Sequence, residues 1–136
     1  MTGKLTLPPL PGIMDIVMAM VPGGAALADA KTSWRGQDGA AFLFSRSAWA
    51  FAALAGTVRE RMGRPPVIWL PDYFCDDATY PLRAIGVTIQ HYPIDQHMEP
   101  NWLQCASMAQ HGRPDMFVLV HYFGRPSDTG KAAEFC

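Results

Sequence analysis

Cysteine is scarce and irregularly placed: Cys75, Cys105 and Cys136 are the three in 136 residues. An odd number without paired Cys-x-x-Cys spacing signals neither a disulfide framework nor a thiolate zinc site. Charge is also sparse, at 17% of residues with a formal net charge of -1. That balance gives no electrostatic pull towards nucleic acid or an anionic membrane. No apolar run approaches the ~20 residues needed to cross a bilayer, and the N-terminus lacks the charged start and cleavage pattern of a secretory signal, so the expected location is cytoplasmic. Neither a dinucleotide-type glycine fingerprint nor a P-loop is present. Lysine is limited to Lys4, Lys31 and Lys131.

What is abundant is apolar residues, 49% of the chain, enough to bury a core at this length. Residues 1–39 are broken by Pro8, Pro9, Pro11, Pro22, Gly23 and Gly24 and read as an arm or lead-in. Only Ile13 to Val21 could form a short helix there, its Met14, Met18 and Met20 suiting either packing or a partner surface. From Ala40 onward the pattern is regular and reads as one domain to Cys136. Ala41–Phe44 predicts a short buried strand. Ser45-Arg46-Ser47 then opens an alanine-rich helix, Ala48–Met62, with Trp49, Leu54 and Val58 at helical spacing and Gly63 at its end.

The stretch Val67–Leu70 predicts a buried strand stopped by Pro71, with Asp72 to Asp77 forming a loop just past its carboxyl end. Asp77–Ile85 reads as a helix closed by Gly86, Val87–Ile94 as a strand and Asn101–Gln110 as a helix. Met116–Val120 is a further apolar strand, followed by His121-Tyr122-Phe123-Gly124 and a helix starting at Ser127 or Asp128. Strands alternating with helices at this spacing indicate an α/β fold with a mostly parallel sheet and flanking helices. Such sheets bind ligands beyond the carboxyl ends of their strands, which singles out Tyr73, Phe74 and Cys75.

Two readings of these loops stay open on residue chemistry. A helix N-terminus beside Ser45 and Ser47 can hold an anion through its orphan N–H groups, or the serines can simply cap it. Asp76 or Asp77 can serve a site or cap the following helix. Catalytic constellations fail on spacing. A phosphatase-type cysteine needs arginine six residues on, where this chain has Pro81 and places Arg83 too late. Cys75 could pair with His91 or His121 as a thiol nucleophile, but no spacing signals it. His91, His97 and His121 with Asp72 or Asp76 match no ligand pattern.

Four segments taken together resemble the DegT/DnrJ/StrS family of pyridoxal-phosphate (PLP) sugar aminotransferases: F-L-F-S-R-S-A, V-I-W-L-P-D-Y-F-C, R-A-I-G-V-T-I-Q-H-Y-P-I-D and V-L-V-H-Y-F-G-R-P-S-D. The resemblance covers residues 40–136 and implies part of the large domain of the aspartate-aminotransferase fold (PLP fold type I). It implies a homodimer that moves an amino group from an amino-acid donor to a nucleotide-linked keto-sugar. Ser45 and Arg46 then fall on the pair that holds the cofactor phosphate, with Arg46 standing where the family has threonine. Cys75 falls on the position of the aromatic that stacks on the cofactor ring, with Phe74 and Tyr73 beside it. The family's acidic partner of the ring nitrogen and its cofactor-bearing lysine have no match here, which implies that the chain is an N-terminal fragment, inactive by itself. A stand-alone, non-catalytic α/β module binding a small anion or a protein partner is the alternative expectation.

Overall fold

A computed structural model describes residues 12–20 and 41–136 of the chain. The chain divides into two compact units, Met1–Leu43 and Phe44–Cys136. In the first, helix α1 spans Ile13–Met20 and exposes Ile13, Met14, Ile16, Val17 and Met20. The side chain of Met18 and the remainder of the expected arm lie outside the described residues.

In the second unit, strand β1 (Val67–Pro71) lies between β2 (Thr88–Tyr92) and β3 (Met116–Phe117), all parallel, in the order β2-β1-β3. The α/β expectation therefore holds, as a three-stranded parallel sheet with helices against it. Central β1 is buried on both faces, as a continuous apolar strand requires. Ile68 and Leu70 point to one face, where Ala52 and Ala55 of helix α2 (Ser47–Met62) and Leu82 of helix α3 (Tyr80–Ala84) meet them. Val67 and Trp69 point to the other, against Tyr92, Cys105 and Met108 of helix α4 (Trp102–Ala109) and Phe135 of helix α5 (Thr129–Phe135). The crossover β1-α3-β2 runs one way along the sheet, and β2-α4-β3 runs back past β1. Right-handed crossovers in opposite directions place their helices on opposite faces, as found.

Local signals explain most boundaries. Gly63 closes α2 in the left-handed region, φ 66°, its N–H donating to the Arg59 carbonyl at 2.9 Å. Arg59 also donates to the Ile85 carbonyl at 2.7 Å, tying α2 to the end of α3. Asn101 and Asp128 cap α4 and α5, accepting from the N–H groups of Gln104 and Lys131.

Four expectations are corrected. Ala41–Phe44 forms no strand, and Phe42, Leu43 and Phe44 are exposed: a short apolar run favours burial without itself supplying a pairing partner. The helix expected over Asp77–Ile85 is split into a 3-10 turn, Asp76–Ala78, and α3, because Pro81 has no N–H to return to the Asp77 carbonyl. The strand expected over Val87–Ile94 pairs with β1 only from Thr88 to Tyr92, and Ile94 instead bridges to Pro100. The strand expected over Met116–Val120 pairs only at Met116–Phe117.

The β1–β3 edge is fastened at its start by a carboxylate. Asp115 accepts two hydrogen bonds from the Arg64 guanidinium, both at 2.8 Å, and one from the Val67 N–H at 2.7 Å. The Arg64 bonds above all, helped by the Val67 N–H, hold the Asp115 carboxyl below its ordinary pKa. A depressed carboxyl stabilises the fold above its unfolded pKa, near 4, and loses that contribution as pH falls through the folded value. Asp115→Asn is expected to cost about 1–2 kcal/mol at neutral pH, since it leaves the Val67 N–H without a charged acceptor. The difference from wild type should shrink in urea titrations run below about pH 4.

Candidate functional site

Beyond Pro71 the chain turns away from the sheet. The Asp72 N–H continues the ladder to the Tyr92 carbonyl at 2.9 Å, while its carboxylate accepts from the Ile94 N–H at 3.4 Å. That occupies Asp72 structurally and projects Tyr73, Phe74 and Cys75 past the strand end. Phe74 packs on the α2/α3 side of the core; Tyr73 and Cys75 are exposed.

Beyond β3, Val120 leads into a 3-10 turn, Tyr122–Gly124. This loop is braced internally. The Ser127 N–H donates to Nδ1 of His121 at 2.9 Å, and its hydroxyl donates to the Val120 carbonyl at 2.9 Å. With Nδ1 accepting that bond, the His121 ring is held in place. The two loops are joined by the Tyr122 hydroxyl, which donates to the Tyr73 carbonyl, and by their rings, whose centroids lie 5.8 Å apart. Partial burial, with Asp72 and Tyr73 nearby, raises the Tyr122 phenol above its ordinary pKa.

Between the loops is a cavity of about 430 Å³ lined by Tyr73, Phe74, Cys75, Val120 and Tyr122. It lies beyond the carboxyl ends of β1 and β3, between the two strands at which the chain reverses its direction along the sheet. This is the switch point at which open α/β sheets bind ligands. Among the described residues the lining is aromatic and apolar with one thiol and two phenols, without a carboxylate, histidine or lysine. Such a cavity can sandwich a planar ring.

The structure brings Phe74 and Cys75 together in this lining and leaves Ser45 and Arg46 out of it. Both are exposed at the start of α2, where Arg46 is the capping residue, extended at φ -147° and ψ 148°, with no side-chain cap. Neither serine caps the helix: Ser47 is already its first residue and Ser45 precedes the cap, so neither occupies the position whose oxygen reaches the second or third N–H. Ala41–Phe44 forms no strand, so Ser45 does not follow a strand of the sheet as Phe74 does. Residues 63–66 reach at most ~14 Å, too short to return along a helix ~24 Å long, so α2 runs antiparallel to β1 with its N-terminus towards the carboxyl edge.

The acidic pair after the loop has no part in the cavity. Asp76 accepts from Arg83 at 2.7 Å and from the Thr79 hydroxyl at 3.1 Å, bonds that lower its pKa, the Arg83 bond most; Asp77 is exposed. Asp76 staples the 3-10 turn to α3 and caps nothing. His91 is exposed on β2, and Cys105 is buried, its thiol pushed up to about 11 by burial. No group of three or more His, Cys, Asp or Glu suited to a metal ion occurs among the described residues. Val120 escaped sequence reasoning, although its position at the end of the second apolar run was the available signal. No family model, curated protein or solved structure matches this chain.

Proposed function

We propose that this chain supplies the cofactor-ring part of a PLP-dependent sugar aminotransferase, the complete enzyme working as a homodimer on an amino-acid donor and a nucleotide-linked keto-sugar. The observation that carries the reading is the aromatic cavity at the switch point between β1 and β3. Its size and flat walls suit a pyridine ring, with Phe74 and Tyr122 from different loops available to flank it. Cys75, on the position matched to the stacking aromatic, lies in the same wall. The start of α2 fits the phosphate: a 16-residue helix whose first turn has no side-chain cap and is preceded by Ser45 and Arg46. PLP supplies an electron sink for a carbanion at the substrate. The residues here bind and orient it; the titratable groups of the described lining are the Tyr73 and Tyr122 phenols and the Cys75 thiol, with the Tyr122 hydroxyl committed to the Tyr73 carbonyl. Among the lysines, Lys131 is on α5 with its ammonium 5.8 Å from the Trp102 ring centroid, outside the cavity lining, while Lys4 and Lys31 lie outside the described residues.

That the described lining carries no carboxylate, histidine or lysine also favours a second reading, a non-catalytic module that binds a small anion or a protein partner. Fluorescence titration with PLP, with pyridoxine and inorganic phosphate as competitors, followed by borohydride reduction and peptide mapping, addresses both. The expected result is saturable binding that both competitors weaken, reduced a few-fold to about tenfold by Phe74→Leu, with sparse, unselective labelling of the three lysines. Binding indifferent to Phe74→Leu and to phosphate would remove the cofactor reading. Stoichiometric labelling of one lysine together with transaminase turnover would show that this chain is catalytic by itself.

A further inference from the structure

Three unfavourable features meet at one small cavity beside Tyr122. Met98 and Phe123 are the non-glycine residues with positive φ among the described residues, at 63° and 53°. A side chain in that region crowds its own backbone, and such strain persists only where the surroundings impose it. Oε2 of Glu99 is buried without a hydrogen-bond partner, a state that desolvates a carboxylate with nothing in return. All three residues, with His97, Tyr122 and Arg125, line a cavity of about 40 Å³.

The two loops that form it are held firmly, so the strain is not slack in the chain. The Asp95 carboxylate accepts from the N–H groups of His97 at 2.8 Å and Glu99 at 3.0 Å, and the Asp95 N–H donates to the Glu99 carbonyl at 2.8 Å. That ring of bonds fixes the Glu99 backbone while its side-chain oxygen is left unsatisfied. On the opposite wall the hydroxyls of Tyr122 and Ser127 are both committed to carbonyls, of Tyr73 and Val120, so neither is free to donate to Glu99.

We propose that this cavity is a binding site for a primary ammonium group, with Glu99 as its acceptor and the Tyr122 and Phe123 rings as its aromatic walls. The rings have centroids 6.2 Å apart and are tilted by 40°. A carboxylate and aromatic rings lining one cavity can recognise an alkylammonium ion, through a charge-assisted hydrogen bond and cation–π attraction. The volume admits one small head group. Arg125 opposes a cation, but it is exposed and screened by water, whereas the buried Glu99 oxygen acts through a medium of lower dielectric. Phe123 is 79% exposed, which places it at the mouth, where it can close over a bound group. Because Tyr122 lines this site and the larger cavity alike, one ligand could span both. The proposal stands independently of the PLP reading.

The chain has three glutamates, Glu60, Glu99 and Glu134, so side-chain carboxyl ¹³C labelling gives three assignable signals. Titrating the 136-residue protein with methylammonium chloride, against matched sodium chloride, is expected to shift the Glu99 signal saturably and leave the other two in place. Glu99→Gln, read through the Tyr122 ring signals, should weaken binding about tenfold or more. Phe123→Gly, which relieves the left-handed strain at an exposed position, should raise Tm while weakening methylammonium binding. A Glu99 signal that responds no differently to methylammonium than to sodium would mean a cavity filled by water alone and overturn the proposal, as would unchanged binding in Glu99→Gln. PLP titration of the same samples separates the two cavities: loss of PLP binding with methylammonium binding intact would defeat the cofactor reading and leave this one standing.

Discussion

Replacing Trp69 by alanine is expected to cost about 3–5 kcal/mol and to leave the domain unfolded or barely folded at room temperature, given the usual margin of domain stability. Trp69 has no exposed surface and sits on central β1 in register with Phe117 of β3. Its ring lies 6.4 Å from that of Phe117 and 6.1 Å from that of Phe135, so it joins the sheet to α5 as well as to its neighbouring strand. Tyr92 stacks on Phe117 at 4.6 Å, and Trp102 does so at 5.8 Å. Removing the indole would therefore open a cavity in the middle of a connected aromatic layer whose members are held by different elements and cannot all collapse into it. Yet the indole Nε1 is buried with no partner. Trp69→Phe removes that unsatisfied donor along with part of the volume, so it should cost under about 1.5 kcal/mol, far less than alanine. Urea titrations of both variants with circular dichroism decide the matter. Equal losses would show that the indole N–H is bonded, for example by a buried water; a small loss for alanine would show that the layer is not tightly packed.

The same apolar-run signal that located β1 also misplaced a strand at Ala41–Phe44. The two runs differ, since β1 has β2 and β3 on either side, while Phe42 is 80% exposed and belongs to no strand. A run of four apolar residues states that burial is favourable and does not say where a partner is. Helix α2 was legible because its alanine spacing and Gly63 are both local features. The split at Pro81 was legible in principle, from one missing N–H. The Arg64–Asp115 pair was not, because 51 residues separate its members and only the finished sheet brings them together.

For the site, the loops that line the larger cavity could be named from the rule that ligands gather beyond the carboxyl ends of parallel strands. Which residues of those loops face each other could not. Phe74 and Cys75 fell into the lining, whereas Ser45 and Arg46 did not, because their connection to the sheet depended on the strand that is absent. The strained positions were also silent in the sequence: Met98 and Phe123 carry no signature of a left-handed backbone, which glycine or asparagine would have announced. Asp95-Gln96-His97-Met98-Glu99 reads as an ordinary polar turn, and only the folded geometry reveals a carboxylate oxygen turned inward without a partner.

The shortness of β3 leads to the second large effect, at Tyr92. Along the β1–β3 edge, the Val118 N–H donates to the Trp69 carbonyl at 3.0 Å, and in a regular parallel ladder the next bond would run from the N–H of residue 71 to the Val118 carbonyl. Residue 71 is proline and has no N–H, so the ladder stops there. The Tyr92 hydroxyl takes over, donating to the Val118 carbonyl at 2.7 Å from the far strand. Tyr92 is 1% exposed, so Tyr92→Phe leaves a carbonyl unpaired and should cost about 1–3 kcal/mol. In the Pro71→Ala background a new N–H can reach Val118, and the same Tyr92→Phe change should cost at least about 1 kcal/mol less, a coupling that a double-mutant cycle measures directly. Additive losses would show that the hydroxyl does not substitute for the missing ladder bond. A second readout follows from titration. Burial above all raises the Tyr92 phenol, so the folded state holds its proton longer than the unfolded chain does. The contribution is complete below the unfolded value near pH 10 and is lost as pH rises towards the folded one. Wild type should therefore lose stability above about pH 10 more steeply than Tyr92→Phe, and alkaline denaturation curves that run parallel would contradict the assignment.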